Sequence, residues 1–312
     1  MRARQPVMAI VGPTCTGKTR LAVSLARQLA PAELVNADSR QLLRGLAVGT
    51  CSPTAADLEG VRCHLLDEAD PGDDYTVADW LRHAEEVLST LDQQSIEPVI
   101  VGGTGLYVTA LIDGYDLGRV APQPELRAER TRMASTASGR DALVAEVTHR
   151  DPTAAATLDL HNPRRVVRAL ELIDAAGSLA AARRASPRPS LLIGLDVPRG
   201  THAEWVQRRC DAMFGSGALV DETERALQRG WSRATLRRSG IGYAEALEIL
   251  DGTIDVAAGA ARAVQRTLRY AKAQRTYFHA DARVHWLDAN ADRDTLLDAA
   301  CALRDATRRA DL

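Results

Sequence analysis

The stretch "GPTCTGKT", residues 12–19, follows the apolar run "VMAIV" and precedes a helical pattern. Gly12, Gly17, Lys18 and Thr19 meet the G-x-x-x-x-G-K-[ST] spacing in the strand–loop–helix setting it requires. Small residues let successive backbone N–H groups turn toward phosphate oxygens, and the helix N-terminus adds partial positive charge. Lys18 supplies a point charge and Thr19 an oxygen for Mg²⁺. On this reading Gly12, Pro13, Thr14, Cys15, Thr16, Gly17, Lys18 and Thr19 form a phosphate cradle of the nucleotide-binding, ATP-binding type. A glycine turn that merely packs strand to helix gives no reason for Lys18 and Thr19. The loop alone leaves open whether a phosphate is transferred or a phosphate chain is held as leaving group.

Two further stretches must face that loop. "AELVNAD" (32–38) ends in Asp38, and "EPVIVGG" (97–103) ends in two glycines. In an open parallel sheet, ligands bind beyond the carboxyl ends of the strands, so all three loops share one crevice. Asp38 there is either a general base or a cap for a following helix. A nucleotide hydrolase usually carries a metal-holding carboxylate at another core strand, and "PVIVGGTG" ends in glycine instead. Asp38 is read as the only carboxylate of that kind.

The elements that position these residues follow from periodicity. "PVMAIV" (6–11), 32–38, 97–103, "LLIGLDV" (191–197) and "RVHWLDA" (283–289) read as strands, the last at an edge. Spacings of three and four mark helices over 18–30 and 76–94. Alternation of the two implies a parallel α/β sheet flanked by helices, of P-loop NTPase-like class. Between 119 and 189 no strand interrupts the helical pattern, and "SPRPS" (186–190) punctuates its end. The expected division is a core of 1–118 and 190–312 with an inserted all-helical domain at 119–189. From 202 to 280 the pattern is again largely helical.

Taken together, these blocks resemble the tRNA dimethylallyltransferase family, the isopentenyl transferases of tRNA. The likeness runs through "GPTCTGKT", "NADSRQ", "GT" at 49–50, "HLLDEADPGDDYTVADW", "VGGTGLYVTALIDG" and "RDPTAAATLDLHNPRRVVRALEL". It continues through "GLDVPRGTHAEWVQRRCDAMFGSGALVDE", "IGYAEAL" and "AKAQRT", nearly the whole chain. The resemblance implies transfer of a dimethylallyl group from dimethylallyl diphosphate to N6 of an adenine beside a tRNA anticodon. Residues 12–19 would then bind the diphosphate, with Mg²⁺ at Thr19, and Thr14, Lys18, Thr19 and Asp38 would form the catalytic set. Asp38 would take the N6 proton. Ser39, Arg40 and Gln41 would surround the adenine, and Thr104, Arg127, Arg164, Arg165 and Arg168 would contact tRNA. Arg164, Arg165 and Arg168 can share a helix face, which suits RNA phosphates or an ordinary solvated face paired with acids.

Several usually basic family positions differ: Ser52, Ala244, Leu268 and Ala273 stand where Lys or Arg is expected. Tyr277 stands for a Trp and Leu43 for a Tyr; Arg237, Arg238, Arg269 and Arg275 are neighbouring replacements for the lost charge. Those changes keep a second acceptor in view, a free adenine nucleotide or other small molecule. A metabolite kinase and a non-catalytic RNA-binding protein are the more distant alternatives.

Composition narrows the class. Hydrophobic residues make up 46% and aromatics 4%, so the core is aliphatic, and a net charge of −2 gives no global pull toward nucleic acid. Arg far outnumbers Lys, a compositional habit rather than a function. Five solitary cysteines and no apolar leader lead to the expectation of a reduced cytoplasmic monomer with no membrane attachment.

Overall fold

An uninterrupted apolar pentapeptide buries both faces only in the middle of a sheet, and Val7–Val11 (β1) does so, with every residue buried. The computed structural model of the chain describes residues 6–115, 123–182 and 187–310. Among them, β1 is joined by Ala32–Asn36 (β2), Cys63–His64 (β3), Glu97–Val101 (β4), Ser190–Asp196 (β5) and Val284–Asp288 (β6). All pair in parallel, in the order β3-β2-β4-β1-β5-β6. The expected strands are found, and 283–289 lies at an edge as its pattern implied. β3, two residues long, carries no alternation that a sequence could show.

The helix Lys18–Gln28 lays Leu21, Ala22, Leu25 and Ala26 on the sheet against Met8, Ile10 and Val99. Val77–Gln93 starts at a reciprocal capping box between Thr76 and Asp79. Its Trp80 is fully buried; the indole Nε1 donates to the Asn36 carbonyl at 2.9 Å and the ring stacks on Tyr107 at 4.6 Å. That one side chain ties the end of β2 to the helix Gly105–Ile112, which follows β4. Toward the C-terminus, Arg199–Gly215 and Val256–His279 pack along each other. No helix among the described residues is long and apolar enough to cross a membrane.

The chain separates into two compact units, one made of residues up to Ile112 and from Arg188 onward, the other of Asp113–Pro187. The expected boundary at 118/119 lies outside the described residues, and the return of the chain falls at Arg188 rather than 190. The described residues of the second unit hold helices and no strand, with a small core of Leu143, Val147, Val166, Leu170 and Ile173. Its helical pattern is divided early: Pro124–Met133 ends, and Thr136 caps a new helix, Ala137–Arg150, by accepting Gly139 N–H at 3.1 Å.

Trp80→Ala removes a fully buried indole and strands the Asn36 carbonyl, so it should destabilise the sheet unit by about 3–5 kcal/mol in urea titrations. A loss below about 1 kcal/mol would mean the site collapses onto the space and Trp80 is no anchor.

Candidate active site

Three strand ends open into one cavity of about 600 Å³, lined by Thr14, Cys15, Gly17, Lys18 and Thr19 after β1, by Asp38 and Gln41 after β2, and by Val101 and Gly102 at β4. The shared crevice read from the strand order is therefore present. Residues 47–59 supply a further wall that includes Cys51 and Ser52, and Arg209 enters from Arg199–Gly215.

The phosphate loop is held by its own backbone. Lys18 Nζ donates to the Pro13 carbonyl at 2.7 Å, and Thr16 Oγ1 donates to the same carbonyl at 2.9 Å. Of the eight expected cradle residues, Gly12, Pro13 and Thr16 do not line the cavity. Pro13 has no N–H to offer, and Thr16 turns its hydroxyl back into the loop. Gly12 lies at φ 132°, and a Cβ there would stand 2.3 Å from the Leu195 carbonyl oxygen of β5. These three shape the loop, and the other five present it. Behind the loop, Gln274 Oε1 accepts Thr14 N–H at 2.8 Å and His202 Nε2 meets the Thr14 carbonyl at 2.8 Å. Burial lowers the pKa of His202, so its neutral form donates through Nε2, while Arg275 Nη2 lies 3.2 Å from Nδ1.

Burial of the Lys18 ammonium brings its pKa down to about 8, against the opposing pull of Asp38 and Cys15. Asp38 begins no helix: residues 39–46 form turns, and its Oδ1 accepts Arg40 N–H at 2.9 Å. The capping alternative is thereby replaced by a local turn that leaves Oδ2 without a hydrogen bond among the described residues. The other two carboxylates at the cavity are engaged, Asp57 in the capping box of Thr54 and Glu59 with Arg27 and Arg293.

A carboxylate that the sequence reading did not count stands at the end of β5. Asp196 is bound by Arg275 through both oxygens and by His279, which outweigh its burial and hold its pKa at about 2. It is a fixed anchor for Val256–His279 and does not line the cavity. Arg275 is thus consumed as a structural partner, and Arg237 stands 3.8 Å from Glu248. None of Arg237, Arg238, Arg269 and Arg275 lines the phosphate cavity; beside Lys18 the cations that do are Arg20 and Arg209, and Arg209 Nη1 reaches Thr14 Oγ1 at 3.4 Å. Sequence reasoning missed Arg209 because "WVQRRCD" reads as a solvated helix face with no local sign of a ligand.

Ser39 and Arg40 point away from that cavity into a second one of about 340 Å³, shared with Leu43, Tyr75, Tyr107 and Arg238. Thr104 lines neither; its Oγ1 accepts Ser39 N–H at 2.9 Å and so joins the β2 loop to the β4 loop. Gln41 Nε2 donates to the Cys51 carbonyl at 2.9 Å. Asp38 therefore stands between a cation-lined cavity and a second recess.

Within the helical unit, Arg127 grips Glu171 with two nitrogens, Nε at 2.5 Å and Nη2 at 2.7 Å, and Arg168 Nη1 meets the same carboxylate at 2.8 Å. Glu171 is 2% exposed; its burial is outweighed by these bonds, which hold its carboxyl below the ordinary range. Arg165 pairs with Asp159 at 3.1 Å, whereas the Arg164 guanidinium makes no ion pair among the described residues. The acid-paired face is thus real for two of its three arginines, Arg165 and Arg168, yet Arg168 and, on a different helix, Arg127 keep about a third and a half of their side-chain surface exposed.

No three-residue cluster of His, Cys, Asp or Glu that could hold a metal occurs among the described residues. With Asp57 and Glu59 engaged elsewhere, the oxygen donors beside the loop that suit a metal are the Thr19 hydroxyl and the Asp38 carboxylate. That suits Mg²⁺, a hard cation usually bound by one or two protein oxygens plus substrate phosphates and water.

Residues 41–281 match the family model described as IPP transferase. A tRNA dimethylallyltransferase of Bifidobacterium longum (strain NCC 2705) is 39% identical over 292 residues, 91% of this chain and 87% of the relative. One of Bacillus subtilis (strain 168) is 36% identical over 290 residues, 91% of each. The crystal structure of the full-length tRNA isopentenylpyrophosphate transferase of Bacillus halodurans superposes with a TM-score of 0.71 at 33% identity, covering 99% of each chain. The chain belongs to the IPP transferase family, that of the tRNA dimethylallyltransferases.

Proposed function

We propose that this chain transfers the dimethylallyl group of dimethylallyl diphosphate to N6 of an adenosine next to a tRNA anticodon, in the cytoplasm. The observation that carries the reading is the pairing of Lys18 and Arg209 with Asp38 around a single cavity. Relatives named for tRNA support this acceptor. None of those named above is a kinase or acts by its name on a free nucleotide.

The N6 lone pair attacks the allylic carbon as its bond to the diphosphate oxygen breaks. Charge develops on the leaving diphosphate, where Lys18, Arg209 and the loop N–H groups stabilise it without reorganising. The amine that has formed its new C–N bond gives its proton to Asp38 Oδ2, the oxygen left without a partner. Thr19 and Asp38 are the residues that would hold Mg²⁺, which would supply further neutralisation of that charge. Ser39 and Arg40 flank the adenine in the recess on the other side of Asp38, with Gln41 on the diphosphate side and Thr104 bonded to the Ser39 N–H between them. A base reaches such a position only by leaving its stack. Arg127, Arg164, Arg165 and Arg168 hold the RNA backbone, and the protein acts as a monomer.

Asp38→Asn should lower kcat by about 10²–10⁴-fold and leave diphosphate binding near wild type, measured by labelled prenyl transfer and by calorimetry. Equal turnover would remove Asp38 from the reaction. Lys18 is charged below about 8 and loses its proton above it, while a bound anion favours the charged form, so diphosphate affinity should fall as pH rises through that value. One unit higher, binding should draw a proton from the buffer, seen as a dependence of calorimetric heat on buffer ionisation enthalpy; no uptake there would place the anion away from Lys18. Replacing Arg164, Arg165 and Arg168 together by Ala should raise the KM for tRNA about tenfold or more and flatten the salt dependence by about 0.7–0.9 per lost phosphate contact. The KM for dimethylallyl diphosphate should not change, and an unchanged tRNA KM would take the RNA grip off this helix.

A further inference from the structure

Gln274 sits on the inward side of Val256–His279, 5% exposed, with both ends of its amide in use. Its Oε1 accepts the Thr14 N–H at 2.8 Å, and its Nε2 donates to the Gly103 carbonyl at 2.9 Å. Thr14 belongs to the loop after β1 and Gly103 to the loop after β4. A Cβ at Gly103 would stand 2.2 Å from Gln274 Nε2 and 3.6 Å from Asp38 Oδ2, so one backbone point touches both side chains. The neighbouring Tyr270, its phenol pushed up to about 12 by burial and by the Asp38 charge, belongs to the same corner.

We propose that Gln274 is a positioning residue for the transfer, holding the diphosphate cradle in register with the wall that carries Asp38 and the acceptor base. The proposal rests on the dimethylallyl transfer reading. A displacement at carbon needs attacking atom and leaving oxygen in line, and a misplacement of about 1 Å costs on the order of 10²-fold. Donor and acceptor sides here stand on separate strands, and Gln274 bonds a loop of each kind at once. His202 differs: of the two loops it meets the one after β1, at the Thr14 carbonyl, while its other nitrogen faces Arg275, and so it acts on the donor side. At neutral pH an amide suits the place of Gln274, since one atom must accept and the other donate.

The test uses full-length wild type, Gln274→Glu and Gln274→Met, with dimethylallyl diphosphate and tRNA each varied and active sites counted by diphosphate-binding stoichiometry. In Gln274→Glu a carboxylate still accepts from Thr14 but faces the Gly103 carbonyl with like charge. Its kcat per active site should fall about tenfold or more at neutral pH with both KM values within about twofold. As pH falls, protonation of the introduced carboxyl restores the donor, so the ratio of its kcat to that of wild type should rise. Gln274→Met, lacking both bonds, should lose kcat without that recovery. A kcat per active site near wild type in both variants, a loss confined to either KM, or a flat pH ratio for Gln274→Glu would overturn the assignment. Wild type that fails to prenylate tRNA would instead overturn the transfer reading.

Discussion

The site depends on β4 lying between β1 and β2. Adjacent strands are about 4.8 Å apart, so the loops leaving β1 and β2 start roughly 10 Å from each other. Were those strands neighbours, Lys18 and Asp38 would meet as an ion pair and neutralise each other. With a strand between them they act as opposite poles of a cavity of about 600 Å³. Each pole can then serve a different partner, an anion on one side and a proton-bearing amine on the other. Burial makes the Lys18 charge costly and the Asp38 field restores part of it, so its pKa lies at about 8, where a nearby anion would favour the charged form.

Much of this was legible in the sequence because it is local. β1 with its glycine loop is a contiguous pattern, and a strand ending in Asp38 is visible once the sheet is known to be parallel. What stayed hidden is contact at long sequence separation. Arg209 lies 195 residues from its partner Thr14 and Gln274 lies 260, and both sit on amphipathic helices where a polar residue needs no explanation. Asp196 was readable as a strand end but not as spent, because Arg275 and His279 reach it from another helix. The break between Pro124–Met133 and Ala137–Arg150 turned on a single Thr136 cap, a signal that a helical stretch rich in Ala and Arg obscures.

Lys18 and Lys272 are the only lysines of the chain. Arginine has replaced lysine nearly everywhere, but the phosphate loop keeps the compact ammonium, whose pKa moves readily on burial. A guanidinium there would stay charged at any working pH and would need more room than the Pro13 carbonyl leaves. The planar cation is supplied instead from the opposite wall by Arg209. With Ser52 uncharged at the cavity, its lining cations are the Lys18 ammonium and the guanidiniums of Arg209 and Arg20, the last from the first turn of the loop helix.

The bond from the Thr14 N–H to Gln274 spends one backbone donor of the loop on the protein itself. The cavity-lining residues that keep their amides for an anion are then Cys15, Gly17, Lys18 and Thr19. The capacity of a loop near the start of the chain is thus set in part by a helix near its other end.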